Sequence, residues 1–338
     1  MRAVITGVML ALLSGPLTAL TLEGRFEVGS GSEVVTVLGT NEFEAIQPQL
    51  VDFIQVYPNA QINYLMASSA EIASALGTDA IRGIDAILSS ALDLQMKAVN
   101  DGAARTVRIS DPSGTQWRDR LFQISLEPIV TLYNKATNPA LGTIKDRFEL
   151  LDQLRQGRLS LQRGVVLYDP TRSGVGYLLA AQDAEQIDVF WSLLEWFSTP
   201  RLIESCCSVD MIQLVSSGKV DLAYNILESY ATAELATNPD LHVLAFSDYQ
   251  LLVPRTAFVP TTADNPDRGA RFIEYLRSPR AQSLLPAHMQ LNRLQQQSNS
   301  PLKPIRMSPA LILQLDAYQK ARFLRQWNSA TSRSGSAQ

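Results

Sequence analysis

Residues 34–100 alternate three times between a short apolar run and a pattern typical of a helix. The apolar runs occupy residues 34–38, 61–66 and 84–88, and a helical segment follows each of them. Strands that alternate with helices in this way form a mainly parallel sheet with covering helices. The alternation therefore predicts an α/β fold in which the carboxyl end of each strand leads into a helix.

A second set of the same kind follows further along the chain. A strand is predicted at residues 165–168, a polar turn at 169–174, helices at 175–183 and 187–197, and a strand at 220–224. Thr199-Pro200 is expected to cap a further helix, and Ser308-Pro309 a single last helix, because proline suits the first helical position. Extended runs at 121–134 and 249–259 separate the two sets, and the first is longer than one strand needs. We expect these runs to cross between two lobes.

The chain length also favours two domains. At 338 residues it exceeds the roughly 250–300 at which a single hydrophobic core stops growing. The division that we predict is residues 33–125 plus 256–300 for lobe 1, residues 126–255 for lobe 2, residues 301–327 for a C-terminal linker and helix, and residues 328–338 for a flexible tail.

The N-terminus resembles an export signal. Arg2 precedes an apolar stretch at residues 4–13, and small residues lead up to Ala19. The apolar stretch is shorter than the about 20 residues that a membrane-spanning helix needs. The pattern predicts a signal peptide over residues 1–19 and a periplasmic mature chain, with a buried N-terminal helix as the alternative.

The charge balance constrains the partners. With 29 basic and 33 acidic residues the formal net charge is −4, which favours neither nucleic acid nor an anionic membrane face. An anionic ligand would therefore need a local group of positive or hydrogen-bonding atoms. We expect no nucleic-acid partner, and we expect a monomer.

The two cysteines, Cys206 and Cys207, are neighbours in the chain. Adjacent cysteines cannot cross-link distant segments, so the chain has no disulfide scaffold. They form either a vicinal disulfide or two small buried thiols, and the sequence does not distinguish these states. With two histidines and no C-x-x-C motif, no metal site is predicted.

Three predicted strand ends carry small polar residues and enter helices: Thr40-Asn41, Ser89-Ser90 and Thr171-Arg172-Ser173-Gly174. Amides at a helix start together with hydroxyl groups can hold a carboxylate or a phosphate. Each of these segments alone is also an ordinary helix cap. Because three of them occur in an α/β pattern, two in the first lobe and one in the second, they predict a shared ligand cleft.

Other polar residues could line the same cleft. Arg172 offers a planar clamp for a carboxylate or phosphate, with a solvated loop arginine as the alternative. Ser208 follows the cysteine pair and can cap the next helix, while Asn225 and Glu228 follow the strand at residues 220–224. Glu228 is equally suited to the first turn of a helix.

Signatures of enzymes are missing from the sequence. It contains no G-x-S-x-G, H-E-x-x-H, G-x-x-x-x-G-K-[ST] or G-x-G-x-x-G motif. We therefore expect no catalytic residues and no cofactor. The rival hypothesis is a secreted hydrolase or transferase with Glu127 or Glu228 as general base.

Several segments together resemble the extracellular solute-binding proteins of bacterial ABC transporters. They are residues 34–53, Tyr57-Pro58, 83–90, 169–177, 218–225 and 270–279. Their order and spacing are most similar to the branch that contains ferric-iron-binding, hexose-phosphate-binding and phosphoglycerate-regulatory proteins. The resemblance covers residues 33–285.

The resemblance implies a two-lobed periplasmic-binding-protein fold of type II, with two hinge crossings and lobes that close on a ligand. Its ferric members use two adjacent tyrosines, whereas residues 224–230 here contain Tyr224 and Tyr230 without an adjacent pair. That departure favours a small organic anion, phosphorylated or carboxylated, over ferric iron as the ligand. The resemblance implies delivery to an ABC-type permease or presentation to a sensor kinase, and the sequence does not separate the two. Which anion is bound, and whether a metal accompanies it, also stay open.

Overall fold

The computed structural model of the chain describes residues 20–110, 115–198, 201–291 and 301–332. The predicted signal peptide, residues 1–19, lies outside these ranges. Within them, none of the helices is both long and apolar enough to span a membrane.

Twelve strands are present in the described ranges. In chain order they are β1 (Gly24–Gly29), β2 (Glu33–Gly39), β3 (Ala60–Met66), β4 (Ala86–Ser89), β5 (Gln116–Trp117), β6 (Leu121–Asn134), β7 (Val165–Tyr168), β8 (Leu202–Ser205), β9 (Leu222–Leu227), β10 (Leu241–Leu244), β11 (Gln250–Phe258) and β12 (Leu302–Pro304).

The α-helices of the same ranges are α1 (Phe43–Val56), α2 (Ser69–Ala75), α3 (Leu92–Asn100), α4 (Arg147–Arg155), α5 (Gly174–Gln186), α6 (Phe190–Phe197), α7 (Ser208–Ser216), α8 (Glu228–Thr237), α9 (Pro266–Arg277), α10 (Pro279–Gln282), α11 (Pro309–Gln314) and α12 (Ala317–Thr331).

The strands join in the order β1-β3-β2-β4-β11-β6-β9-β7-β8. On one side β2 runs parallel to β3 and β4, and on the other side β7 runs parallel to β8 and β9. The predicted α/β alternation is therefore confirmed in both halves. We call β1–β4 with their helices the first lobe, and β7–β9 with theirs the second lobe.

The two long extended runs form β6 and β11, which are antiparallel neighbours in the middle of this order. The first half of β6 pairs with β11, up to Pro128, and the second half, from Ile129, pairs with β9 of the second lobe. β11 in turn pairs with β4 of the first lobe. The chain thus passes between the lobes on these two strands, as the extended runs predicted.

Local capping chemistry sets the helix starts. The hydroxyl of Ser68 accepts a hydrogen bond of 3.1 Å from the amide of Glu71 and so caps the start of α2. The side chains of Asn265 and Ser278 accept from amides in the first turns of α9 and α10 in the same way. Proline follows each of these two caps, where its missing N–H costs nothing.

Four details correct the sequence predictions. The segment after Pro200 is the strand β8 rather than a helix, although Thr199 and Pro200 themselves lie outside the described residues. The last helix is divided into α11 and α12, because the Asp316 carboxylate caps a new helix start at Tyr318 and Gln319. α12 continues to Thr331, beyond the predicted start of the tail. Finally, the sequence reading missed β1, which pairs antiparallel with β3.

Residues 301–332, which we call the C-terminal strap, contact both lobes. β12 pairs with β11, α11 packs against α3 of the first lobe, and α12 packs against α6 of the second. The Gln314 carbonyl accepts a 2.5 Å hydrogen bond from the Tyr177 hydroxyl, and the indole N–H of Trp327 donates to Glu204 at 2.6 Å. The strap therefore joins the lobes beside the crossing strands.

A buried carboxyl group lies in α3, the helix that the strap covers. Asp93 is fully buried, and its Oδ2 has no hydrogen-bond partner among the described residues, while Oδ1 accepts from the amide of Leu94 at 2.9 Å. Burial raises the pKa of Asp93 to about 7, against the opposing effects of the Leu94 amide and the Lys320 ammonium group.

This pKa predicts how stability depends on pH. The carboxyl of Asp93 ionises near pH 4 in the unfolded chain and near pH 7 in the folded chain, so the folded state holds its proton longer. Its contribution to the free energy of unfolding therefore falls as pH rises through this window, by about 1.4 kcal/mol per pH unit, and stays low above it. Asp93→Asn should stabilise the protein at pH 8 more than at pH 5, as measured by urea unfolding.

Asp267→Asn is the matched control, because Asp267 also lies in the first turn of a helix but is exposed. It should change stability by the same small amount at both pH values. An equal effect of Asp93→Asn at pH 5 and pH 8 would contradict the assignment.

Candidate functional site

The site predicted from the sequence maps to the carboxyl ends of parallel strands in both lobes. Thr40 and Asn41 follow β2, Ser89 ends β4, and Ser90 lies between β4 and α3. In the second lobe, Thr171, Arg172, Ser173 and Gly174 follow β7, Ser208 follows β8, Asn225 lies in β9, and Glu228 begins α8. In α/β sheets this is the edge at which ligands bind.

At the strand ends of the first lobe, some polar groups form hydrogen bonds within the protein and others are available to a ligand. The amide of Thr40 donates to the carbonyl of Leu88 at 3.2 Å, but its hydroxyl is buried with no hydrogen-bond partner in the described part of the chain. The Asn41 carbonyl accepts from the Tyr64 hydroxyl at 2.7 Å. The Ser89 hydroxyl accepts from the amide of Ala91 at 3.1 Å, so it is committed to the turn that leads into α3. The Thr40 hydroxyl is thus a buried polar group that is uncommitted among the described residues at this lobe's strand ends.

The turn after β7 is held by its own side chains. Asp169 accepts hydrogen bonds from the amide and the hydroxyl of Thr171, at 2.8 and 2.6 Å. The Ser173 hydroxyl accepts from the amide of Gly176 at 3.1 Å and caps α5. Arg172 is exposed at the tip of the turn, and its guanidinium makes no hydrogen bond to a residue that the structure describes.

Gly174 marks where the two lobes touch. A Cβ atom at this position would lie 2.7 Å from the hydroxyl of Ser69 and 2.6 Å from Cδ1 of Leu94, both in the first lobe. Any side chain here would force the side chains of Ser69 and Leu94 to move, so a residue without a Cβ suits this close approach. The lobes are therefore in contact at the start of α5.

Asn225 and Ser208 make hydrogen bonds inside the second lobe. Asn225 has a φ of +60°, and its side-chain amide donates to the carboxylate of Asp183 at 2.5 Å. The same buried carboxylate accepts from the hydroxyls of Tyr224 and Tyr249, at 2.9 and 2.7 Å. The hydroxyl of Ser208 shares a hydrogen bond with that of Tyr168, at 2.5 Å. Asp183 thus helps to hold the left-handed backbone conformation of Asn225 within β9.

A connected set of polar groups lies where the crossing strands meet both lobes. Glu127 of β6 and Arg255 of β11 form a buried ion pair, with Nε of the arginine 2.9 Å from Oε2. The other carboxylate oxygen accepts from the amide of Ser229 at 2.7 Å, and Nη2 of Arg255 donates to the Ser229 hydroxyl at 2.9 Å. The Tyr230 hydroxyl donates to the carbonyl of Thr40 at 2.9 Å. We call these five residues the floor network.

The electrostatics of the floor network keep one cation and one neutral donor in place. Burial opposes the charge of Arg255, but the Glu127 carboxylate together with Tyr230 and Tyr64 outweighs this effect, and the pKa of Arg255 is raised. Burial raises the pKa of Tyr230 to about 12, although Arg255 opposes the shift. Tyr230 therefore stays protonated at neutral pH. Nη1 of Arg255 donates no hydrogen bond to any residue in the described ranges, so one edge of the guanidinium is uncommitted.

Glu228 takes part in another contact between the lobes. Its Oε2 lies 3.2 Å from Nε2 of His288, in the short 3₁₀ turn Ala287–Met289 that follows the first-lobe helices. Both side chains are partly exposed, so the pair is worth little as a source of stability. Its position shows that the start of α8 faces the first lobe.

Sequence reasoning missed Arg255, Ser229 and Tyr64 as members of this region. Arg255 is the single charged residue in the apolar run of β11, and a buried charge in such a strand is the signal that could have identified it. Glu127 was considered only as a general base. The structure commits both of its carboxylate oxygens to Arg255 and Ser229.

The sequence and the fold of the chain are similar to those of known proteins. A family model described as bacterial extracellular solute-binding protein matches residues 35–288. The chain belongs to this family. The resemblance predicted from the sequence is therefore confirmed, and solute-binding proteins of this kind serve ABC transport outside the cytoplasm.

Solved structures agree with this assignment. The substrate-binding protein of an ABC transporter from Agrobacterium tumefaciens is 26% identical, with a TM-score of 0.79 over 91% of this chain and 98% of that one. The periplasmic binding protein AfuA from Actinobacillus pleuropneumoniae, with fructose-6-phosphate bound, is 13% identical, with a TM-score of 0.65 over 90% of this chain and 100% of that one.

Iron-bound HitA from Pseudomonas aeruginosa is 14% identical, with a TM-score of 0.64 over 88% of this chain and 99% of that one. At these identities AfuA and HitA show the periplasmic-binding-protein fold alone. No curated protein matches the sequence.

The floor network predicts a coupled pair of residues. Glu127→Gln leaves the Arg255 charge buried without its partner and should lower the free energy of unfolding by about 3–5 kcal/mol. The double variant Glu127→Gln/Arg255→Gln removes both charges, so it should be destabilised by less than the sum of the two single variants. Urea unfolding of the four proteins measures this coupling.

The exposed pair of Arg82 and Asp79 serves as the control, because its side chains are 72% and 87% exposed. Asp79→Asn should change stability by no more than about 0.5 kcal/mol. Additive effects at Glu127 and Arg255 would contradict the coupling.

Proposed function

We propose that this solute-binding protein captures a small organic anion, a phosphorylated or carboxylated metabolite, between its lobes. The loaded protein would deliver the anion to an ABC-type permease, or the closed protein would itself be recognised by a sensor kinase. The observation that carries the proposal is the buried cation of Arg255, at the crossing of β6 and β11, with one edge of its guanidinium uncommitted.

The chemistry of Arg255 suits an anion. A guanidinium is charged at any physiological pH, and its planar edge matches a carboxylate or a phosphate. Because Glu127 holds Nε and Ser229 holds Nη2, the group is already oriented, so little side-chain entropy is lost on binding. The overall charge of −4 does not attract an anion, so this local cation has to supply the attraction.

Other groups at the strand ends complement this charge. The Thr40 hydroxyl is uncommitted, while the carbonyl of the same residue accepts a hydrogen bond from Tyr230. The starts of α3 and α5 at Ser90 and Ser173 offer the positive ends of helix dipoles. The proposed ligand residues are therefore Arg255 together with eight of those predicted from the sequence: Thr40, Asn41, Ser89, Ser90, Thr171, Ser173, Gly174 and Ser208.

Two of the predicted residues take indirect roles in this proposal. Asn225 holds the backbone conformation within β9, because its side-chain amide donates a hydrogen bond to Asp183. Glu228 favours closure through its contact with His288. Arg172 is the alternative clamp, at an exposed position where an ion pair is screened by solvent.

Ferric iron is the alternative ligand. Tyr224 and Tyr230 are not adjacent, and their hydroxyls already donate hydrogen bonds to Asp183 and to the Thr40 carbonyl, so they are poorly placed to bind iron together. A catalytic role is disfavoured too, because Glu127 is committed to Arg255 and Ser229 and so is poorly placed as a general base. These contacts favour binding without turnover.

A thermal-shift panel tests the ligand class. Sugar phosphates, phosphoglycerates, di- and tricarboxylates and ferric iron are compared, with the unphosphorylated sugars as matched controls. A responding anion should stabilise the protein as RT ln(1 + [L]/Kd), about 2.7 kcal/mol at a hundredfold excess over Kd, and should be recovered unchanged. A shift with ferric iron alone, or an equal shift with the neutral sugar, would contradict the proposal.

Calorimetric titration with the responding anion then tests Arg255. Glu127→Gln keeps the guanidinium and should keep anion binding, whereas Glu127→Gln/Arg255→Gln should weaken it at least about tenfold through loss of a charge-assisted hydrogen bond. Arg172→Ala should leave the affinity nearly unchanged. Unaltered affinity in the double variant, with a large loss in Arg172→Ala, would assign the clamp to Arg172 instead.

A further inference from the structure

The two cysteines form a disulfide bond between neighbouring residues, Cys206 and Cys207, a state that the sequence left open. They lie between β8 and α7, and both are half-buried, so solutes reach them. Because the bonded residues are neighbours, the bond closes no loop and constrains little of the unfolded chain. Its reduction is therefore expected to leave the fold intact.

Neighbouring cysteines also make a bond that is easily reduced. Disulfides usually join Cα atoms about 4.4–6.8 Å apart, whereas adjacent residues are fixed at 3.8 Å. Bonds outside the usual spacing are the labile ones in exchange with thiols. A dithiol in the surroundings would therefore convert this pair to two free thiols sooner than a structural disulfide.

The surrounding backbone favours the thiolate form once the bond is open. Cys207 is the N-cap residue of α7, and its side chain makes no capping hydrogen bond. The Ser205 hydroxyl accepts from the amide of Cys207 at 3.2 Å and holds this turn in place. Thiolates at helix N-termini are stabilised by the helix dipole.

A third donor lies beside the two sulfur atoms. Asp210 is three residues after the N-cap, the position from which a side chain reaches back toward the cap. The sulfur atoms of Cys206 and Cys207 and a carboxylate oxygen of Asp210 all lie within 4.8 Å of one another. Two sulfurs and one carboxylate suit a thiophilic divalent cation such as Zn²⁺ or Cd²⁺, with water in the remaining position.

We propose that Cys206, Cys207 and Asp210 form a redox-gated site for a thiophilic divalent metal ion. In the first step a dithiol is oxidised to its own disulfide, the Cys206–Cys207 sulfur–sulfur bond breaks, and the two electrons and two protons pass to the cysteine thiols. In the second step the metal ion binds both sulfurs and the carboxylate, and two protons are released. The oxidised pair has no thiolate, so it does not bind the metal.

Titration with Cd²⁺ tests the site, because thiolate-to-cadmium bonds give an ultraviolet charge-transfer band. The protein is reduced with an immobilised dithiol, which is then removed without oxygen. The reduced chain should bind one Cd²⁺ with this band, Zn²⁺ should displace it, and the oxidised chain should give no band. Cys206→Ser and Cys207→Ser should each weaken binding at least about tenfold.

Asp210→Asn separates the three-donor site from simple thiol binding. It should weaken Cd²⁺ binding by about tenfold in the reduced protein, whereas Asp267→Asn, in the first turn of α9, should have no effect. Circular dichroism checks that each variant is folded. Equal Cd²⁺ binding by the oxidised and reduced proteins, or equal affinity in Asp210→Asn and Asp267→Asn, would overturn the proposal.

Discussion

The strands β6 and β11 carry the chain between the lobes, and the buried ion pair of Glu127 and Arg255 joins them at the crossing. Removing two charges from water costs several kcal/mol per ion, so such a pair is not retained for stability alone. Each residue of this pair also binds a second group. Glu127 accepts from an amide at the start of α8, and Arg255 binds the Ser229 hydroxyl in the same turn. The pair thus fixes the start of α8 relative to the crossing strands.

The contacts between the lobes depend on that fixed position. The start of α8 carries Tyr230, which donates to the Thr40 carbonyl, and Glu228, which meets His288. A third contact brings Gly174 against Ser69. A ligand shifts a two-lobed protein toward closure only if it binds the closed form better. The Arg255 cation lies at the crossing and is enclosed by these contacts. An anion bound to it would therefore bind the closed form better than the open form.

Much of the fold follows from local patterns in the sequence. The alternation of apolar runs and helices identified β2, β3 and β4, and Ser308-Pro309 marked the start of α11. The prediction failed where pairing between distant segments decides the outcome. β1 is held by its antiparallel contact with β3, and β8 by its place beside β7, neither of which local propensity encodes.

Some features of the candidate site could likewise be predicted from the sequence, whereas others could not. Residues at strand ends could be named because turn and cap chemistry is local, and the structure locates them at the ends of β2, β4, β7, β8 and β9. Their hydrogen-bond partners could not be predicted. Asn225 is bound by Asp183, 42 residues away, and Arg255 meets Glu127 only because β6 and β11 are antiparallel neighbours. Whether a polar residue is free for a ligand is therefore a property of the assembled fold.

The central claim is that an anion lies between the lobes against Arg255. The most direct measurement is a crystal structure of the protein with the anion that stabilises it most. We expect anion oxygens within hydrogen-bond distance of Nη1 of Arg255 and of the Thr40 hydroxyl, with the lobes closed. An anion bound away from the crossing strands, or a ferric ion held by tyrosine side chains, would contradict it.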